Sequence, residues 1–383
     1  MKKILALLLA LVMVFALAAC GGTDAPETTE APADAPADAP AEGEMKVGVF
    51  WYNFADTFMS TVRTALDEEL TAKNVSYQNF DGNNNQTTQN EQIQTAVTDG
   101  YNLLVVNMVT TGSSDVAKEI ISIANGVPVI FFNRAIEPDG EEGSVLNENP
   151  SICFIGTDAP EAGHMQGKMV GEYLVANYDT VDLNGDGVIS YALMKGDEAN
   201  VEAIYRSQYG VEDANLVLEE AGKPAMKYFD ESNTAGYQVD LNGSWSAQAA
   251  LDYMNTNLSQ YNEANGNMIE VIICNNDNMA EGCISALETA GYNTGAEDAV
   301  TIPVFGVDAT DAAKELIAAG KMTGTVKQDA VGMAQAIASV VEAVSGGSAM
   351  ADAVAAVAGT ADIFSIAEGI SNKLFVAYAP YTA

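Results

Sequence analysis

Along the 383 residues, carboxylates and amides recur just past short apolar runs: Asp56, Asp81, Asn107, Asn133, Asp158, Asp230, Asn275-Asn276-Asp277, Asp308 and Gln328. Phe58 and Trp245 stand near members of this set. Carboxylates accept paired hydroxyl hydrogens, amides both donate and accept, and a flat ring covers an apolar C–H face. The combination suits a neutral polyhydroxyl ligand. It does not suit catalysis built on histidine, because the chain has one His, His164, and so at most one candidate imidazole base. There is also no evident nucleophile–base pair, Gly-rich phosphate loop or cofactor fingerprint.

A second constellation is the run Asp182-Leu-Asn-Gly-Asp-Gly-Val-Ile-Ser190. Asp182, Asn184 and Asp186, the Val188 carbonyl and Ser190 reproduce the oxygen spacing of a calcium-binding EF-hand loop, with Gly187 at the tight turn. The position that should carry a bidentate Glu is Leu193, inside an expected strand over 188–194 rather than a second helix. Calcium takes six to eight oxygens, so this loop needs a carboxylate from elsewhere in the chain.

The elements that must position these groups alternate. Apolar runs predict strands at Lys46–Tyr52, Ser76–Phe80, Leu103–Met108, Pro128–Phe132, Ile152–Gly156, Val188–Met194, Met226–Phe229, Ile269–Cys274, Val304–Val307 and Thr323–Lys327. Amphipathic stretches between them predict helices, among them Thr57–Ala72, Glu161–Tyr178, Glu202–Ala221 and Val331–Val344. Repeated βα units with near-continuous apolar strands imply parallel sheets covered by helices on both faces, and ten units fit two sheets better than one. In such α/β sheets ligands bind outside the carboxyl ends of the strands, where the polar set falls. An Asp or Asn at such a junction is also an ordinary helix N-cap, and Asp158-Ala-Pro-Glu161 has that look. Capping alone accounts less well for the absence of Ser and Thr and for the accompanying aromatics.

The N-terminus reads as an address. Two lysines, an uncharged apolar run from Ile4 to Ala19 and the tetrad Leu17-Ala18-Ala19-Cys20 resemble a bacterial lipoprotein signal, with Cys20 lipidated as the first mature residue. Residues 21–44 are almost wholly Ala, Pro, Thr, Gly, Asp and Glu, too poor in apolar surface to offset ordering entropy, and read as an extended acidic tether. The globular part is expected from Met45. Cys153, Cys274 and Cys283 have no metal-like spacing, and two of them sit inside strand runs, so buried free thiols are expected. Lys and Arg number 16 against 53 Asp and Glu, a formal net charge of −37, which repels phosphate backbones and excludes nucleic acid as a partner.

Several longer runs resemble the galactose/glucose-binding proteins of bacterial ABC sugar importers, within the type I periplasmic-binding-protein fold. They are Asp56-Thr-Phe58-Met-Ser, Asn90-Glu-Gln-Ile, Val127-Pro-Val-Ile-Phe-Phe-Asn133, Gly156-Thr-Asp158, the calcium loop with Leu193-Met-Lys-Gly196, Asn275-Asn-Asp-Asn-Met-Ala280 and Pro303-Val-Phe-Gly-Val-Asp308. The resemblance spans residues 45–381. It implies that Glu270, which interrupts an apolar strand, completes the calcium loop, the ion being structural. It implies that Phe58 and Trp245 sandwich a pyranose, while Asp56, Asn107, Arg206, Asn276 and Asp308 bond its hydroxyls and ring oxygen. At three further ligand positions, where the family has His, Asp and Asn, this chain has Asn200, Glu202 and Gln328. All three remain hydrogen-bonding, but their altered reach bears on which sugar is preferred.

The resemblance further implies two doubly wound, Rossmann-like lobes joined by three hinge strands: 45–133 with 328–377, and 134–327 with 378–383. The lobes would close on a monosaccharide, a galactose- or glucose-like hexose, and the closed monomer would dock on an ABC importer permease. The expected location is the outer face of the cell membrane, held there by the lipid anchor only. Presentation of the sugar to a chemoreceptor or kinase would use the same closed form. An exported carbohydrate hydrolase using Asp56 and Asp308 as a carboxylate pair is the alternative from another class. A sugar-responsive repressor would need a basic DNA-binding head where this chain has a signal and an acidic tether.

Overall fold

The structure, a computed structural model, describes residues 45–383; the expected signal, Cys20 and the tether lie outside the described residues. Each of the ten predicted apolar runs overlaps a strand, and the strands divide between two sheets. The first sheet contains β1 (Lys46–Trp51), β2 (Ser76–Asp81), β3 (Leu103–Val106), β4 (Val129–Phe132) and β5 (Ile152–Gly156), extended at one edge by β12 (Phe364–Ile366) and β13 (Lys373–Val376). Its order is β12-β13-β5-β4-β3-β1-β2. The second contains β6 (Ser190–Lys195), β7 (Lys227–Tyr228), β8 (Gln238–Val239), β9 (Val271–Cys274), β10 (Val304–Asp308), β11 (Gly324–Lys327) and β14 (Ala379–Thr382). Its order is β14-β11-β10-β9-β6-β7, with β8 also on β6.

Pairings are parallel except at one edge of each sheet, where β12 runs antiparallel to β13 and β14 antiparallel to β11. The central strands β3, β4 and β9 read LLVV, VIFF and VIIC and are buried at every residue, as parallel strands covered on both faces must be. On the first sheet, α1 (Thr57–Ala72) and α9 (Ala330–Ser345) supply Val62, Leu66, Met333 and Ile337 to one layer; Ile93 of α2 (Gln86–Thr98) and Ile120 of α3 (Ser114–Ala124) enter the other. The second sheet lies between a layer with α6 (Ala247–Gln260), α7 (Asp277–Thr289) and α8 (Asp311–Ala318) and one with α4 (Ala159–Val181) and α5 (Val201–Glu220). Helix α10 (Met350–Ala358) packs with α9.

The chain passes between sheets three times, between Gly156 and Ala159, between Lys327 and Ala330, and between Val376 and Ala379. The last two crossings fall where the sequence resemblance places them. The first does not. Ile152–Gly156 is inserted between β4 and β13, so the connection 134–151 stays with the first lobe and the crossing comes some twenty residues after the expected 133/134 boundary. Ile136, Val145 and Leu146 of that connection share a core with Phe131 and Phe154, which fixes its allegiance. Cys153, Cys274 and Cys283 are buried and free. Among the described residues no helix is long and apolar enough to cross a membrane.

Candidate functional site

The carboxyl ends of strands in both sheets converge on one cavity. From the first lobe, Asp56 follows β1 as the N-cap of α1: its Oδ1 accepts the Met59 N–H at 2.7 Å and its Oδ2 accepts the Tyr52 hydroxyl at 2.6 Å. Phe58 and Met59 sit in the first turn of that helix and face the cavity. After β4 come Asn133 and Arg134, the latter with its guanidinium 4.0 Å from the centre of the Tyr52 ring.

From the second lobe, Asn200 caps α5 by accepting the Ala203 N–H at 3.0 Å, and Glu202 and Arg206 lie in the two turns that follow. Asn276 caps α7, accepting the Met279 N–H at 2.9 Å. Asp308 ends β10 with φ of 128°, and Trp245 has φ of 54°, so two side chains at the cavity stand on left-handed backbone that non-glycine residues rarely adopt. Trp245 is held by Asn278, whose Nδ2 donates to its carbonyl at 2.9 Å, and its ring lies so close to Gly196 that a Cβ there would meet ring carbons at 2.2 Å. Helix capping and cavity lining are thus the same residues' work at Asp56, Asn200 and Asn276: the cap fixes one side-chain oxygen and thereby aims the remainder of the group.

Arg206 ties the site together. Its Nη1 donates to the Asn275 carbonyl at 2.9 Å, and its Nη2 to Gln328 Oε1 at 3.2 Å and to the Tyr378 hydroxyl at 3.0 Å. Burial opposes its charge, but Tyr378 and Asp308 more than offset that, and its pKa is raised. Burial also raises Asp56, Glu202 and Asp308; hydrogen bonds from Met59 and Tyr52 counter it at Asp56, while Arg206 counters it at Glu202 and Asp308. The space left open is about 40 Å³. Four buried polar atoms on its lining residues have no hydrogen-bond partner: Arg134 Nε, Glu202 Oε2, Arg206 Nε and Gln328 Nε2. Buried polar groups are rarely left so, and here they cluster where a polar guest would meet them.

The lobes are closed. Arg134 Nη2 lies 3.4 Å from Asp197 Oδ2, Asn84 Nδ2 donates to the Asn242 carbonyl at 2.8 Å, and Tyr205 hydrogen-bonds Asp139 across the cleft.

Of the ten ligand positions expected from sequence, nine line the cavity: Asp56, Phe58, Asn200, Glu202, Arg206, Trp245, Asn276, Asp308 and Gln328. Asn107 does not. It is fully buried behind the lining, with Nδ2 donating to the Phe132 carbonyl at 3.0 Å and Oδ1 accepting the Tyr52 N–H at 3.4 Å, so it braces the ends of β1, β3 and β4. Asp81, at the end of β2, accepts the N–H groups of Phe54 and Asn83, and Asp230, just after β7, accepts that of Ser232. Arg134 and Tyr52 were not foreseen. Tyr52 ends a predicted strand, and Arg134 directly follows the polar Asn133 at the end of another, so the signal for Arg134 is its place one residue beyond that strand end.

At the second constellation, Glu270 is fully buried beside the 182–190 loop: Oε1 accepts the Asn184 N–H at 3.1 Å and Oε2 the Ser190 N–H at 2.8 Å. The register of the second sheet brings it there, since the Glu270 N–H donates to the Ser190 carbonyl at 2.9 Å. Burial and the Asp182 charge push its pKa up against these backbone hydrogen bonds. Asp182 accepts the N–H groups of Gly185 and Gly187, and Asp186 that of Val188. Leu193 is buried in β6. Among the described residues no group of three or more His, Cys, Asp and Glu is gathered closely enough to hold a metal ion. Three carboxylates, an amide and a backbone carbonyl are nonetheless oxygen donors of the type a hard cation takes.

Two α/β lobes, three crossings and a polar cavity between opposed strand ends define a solute-binding protein of the type I periplasmic fold. The chain belongs to the periplasmic binding protein domain family, which matches residues 47–349. It is similar to the D-galactose/methyl-galactoside binding periplasmic protein of Haemophilus influenzae, 31% identical over 295 residues, 76% of this chain and 79% of that one. It is also similar to a putative rhizopine-binding protein of Rhizobium meliloti, 27% identical over 75% of this chain and 80% of that one. In fold it matches a solute-binding protein of Clostridium phytofermentans with bound β-D-glucose, with TM-score 0.65 and 19% identity, covering 88% of this chain and 94% of that one. The family binds solutes rather than transforming them, and its setting is extracytoplasmic.

Proposed function

We propose that this protein captures a monosaccharide, most favourably a galactose- or glucose-like hexose, outside the cytoplasmic membrane and delivers it to an ABC importer, tethered by a lipid on Cys20. The observation that carries this reading is the cluster of unpartnered buried polar atoms on Arg134, Glu202, Arg206 and Gln328, in a cavity also lined by Phe58 and Trp245. Hydroxyls both donate and accept, so a sugar can satisfy the Glu202 oxygen and the three nitrogens together, while the rings take its C–H faces. The galactoside-binding Haemophilus relative supports the hexose. The small open space implies that the sugar enters with the lobes apart and is enclosed as they close.

The same reading takes the 182–190 loop with Glu270 as a structural calcium site, using Asp182, Asn184, Asp186, the Val188 carbonyl, Ser190 and Glu270. The support is the donor chemistry and the buried Glu270, held near Asp182 against its charge. When bound, the ion would supply positive charge between these carboxylates and stabilise the folded state by mass action.

The test is calorimetry of residues 45–383 against galactose, glucose, xylose, ribose and arabinose. Stoichiometric binding of a hexose without product is expected. No binding to any monosaccharide defeats the reading.

A further inference from the structure

A second, roomier cavity of about 240 Å³ adjoins the first on the hinge side. The two share Glu202, and their walls run on in sequence, with Arg134 in the first cavity and Ala135 and Ile136 in the second. The second cavity also lies between lobes. Phe154, Lys373 and Phe375 come from the first sheet, and Val201, Glu202 and Tyr205 come from the first turns of α5. The Tyr205–Asp139 hydrogen bond joins the two lobes beside this space.

Its chemistry repeats that of the first cavity. Phe154, Tyr205 and Phe375 offer ring surface, while Glu142, Asp158 and Lys373 offer groups that bond hydroxyls. The Lys373 ammonium lies 5.7 Å from the Phe154 ring centre and 5.2 Å from that of Phe375, and it joins no ion pair among the described residues. Glu202, only 5% exposed and with Oε2 unpartnered, is the carboxylate common to both spaces.

We propose that the second cavity is a subsite for the second residue of a disaccharide, whose first residue occupies the space lined by Phe58 and Trp245, with Glu202 bonding at the junction. The inference rests on the reading of the first cavity as a sugar site. The ligand class is thereby extended from monosaccharides to small glycosides whose second unit is itself a sugar.

Calorimetry separates the two readings. Galactose and glucose are titrated beside lactose, melibiose, maltose and cellobiose, with 4-nitrophenyl galactosides as an apolar arm, into the wild type, Ala159→Phe and Lys373→Met. At least one disaccharide is expected to bind about tenfold or more tightly than its parent monosaccharide. Ala159→Phe, which fills the second cavity, should remove that gain and leave monosaccharide affinity unchanged, and Lys373→Met should reduce the gain. Monosaccharide binding with no disaccharide bound overturns the subsite alone. A gain confined to the nitrophenyl glycosides also overturns it, since the second cavity would then take an apolar aglycone. Failure of every sugar overturns the first-cavity reading and the subsite with it. If Ala159→Phe is unfolded by circular dichroism, Lys373→Met decides: an undiminished disaccharide gain there counts against the subsite.

Discussion

Arg206 Nη2 donates to Gln328 Oε1 at 3.2 Å, joining a helix of the second lobe to the segment where the chain crosses between lobes, while Gln328 Nε2 remains buried without a partner. The extra methylene of Gln328, relative to the Asn of the galactose/glucose-binding pattern, lets it reach the guanidinium and still present its amide to the cavity. Gln328→Asn should therefore shift the ratio of galactose to glucose affinity by about threefold or more, roughly 0.6 kcal/mol, in either direction. Paired calorimetric titrations check this; an unchanged ratio removes Gln328 from ligand selection.

Trp245 is 7% exposed and packed on Gly196. Trp245→Ala removes the ring that is to cover one sugar face and should lower hexose affinity about 100-fold, near 2.7 kcal/mol, whereas Trp245→Phe should retain much of it. Equal affinities in the wild type and the alanine variant would place the ring outside the binding surface.

For Asn107 the expectation reverses. Its bonds to the Phe132 carbonyl and the Tyr52 N–H brace the floor beneath the cavity. Asn107→Ala should lower unfolding free energy by about 1–3 kcal/mol, read from denaturant midpoints, and leave ligand affinity within about twofold. A large affinity loss in a variant of undiminished stability would return Asn107 to the ligand shell.

Asp277 lies behind Asp308, fully buried, accepting the Thr325 hydroxyl at 2.6 Å and the Thr310 N–H at 2.8 Å. Burial pushes its pKa up to about 7, with the Glu281 charge adding to the rise. The folded chain thus binds a proton that the unfolded chain has released, from the ordinary carboxylate range up to about 7. Stability must fall as pH rises through that window, since the native state holds the extra proton there. The melting temperature of the ligand-free protein should drop between pH 5 and pH 8, and Asp277→Asn should flatten the drop. An equal pH slope in both proteins contradicts this assignment.

Glu270→Gln removes the carboxylate that meets the 182–190 loop. In calcium buffer it should lower the melting temperature, and the variant should lose its response to a chelator. Identical melting of the parent with and without calcium refutes the metal site.

Much of this protein is legible in one dimension. Apolar runs such as LLVV and VIFF announced buried parallel strands, because a strand covered on both faces cannot alternate. The polar residues after those runs announced the cavity, because chain direction puts strand ends at the ligand edge. The short strands Phe364–Ile366, Lys373–Val376 and Ala379–Thr382, at or next to a sheet edge, are not among the predicted runs, since short, partly exposed and Pro-containing strands carry little pattern.

The sequence by itself determined the two-sheet α/β class and the polar character of the site, since these depend on residue type, period and chain direction, whereas Glu270 was tied to the 182–190 loop only by the resemblance to a family. Only the tertiary structure decided that Asn107 turns away from the cavity while Arg134 and Tyr52 turn toward it. It alone set the first lobe crossing after Gly156 and opened a second cavity beside Glu202. Each of these rests on which residues from distant segments meet, and strand order and helix packing fix that, whereas spacing along the chain does not.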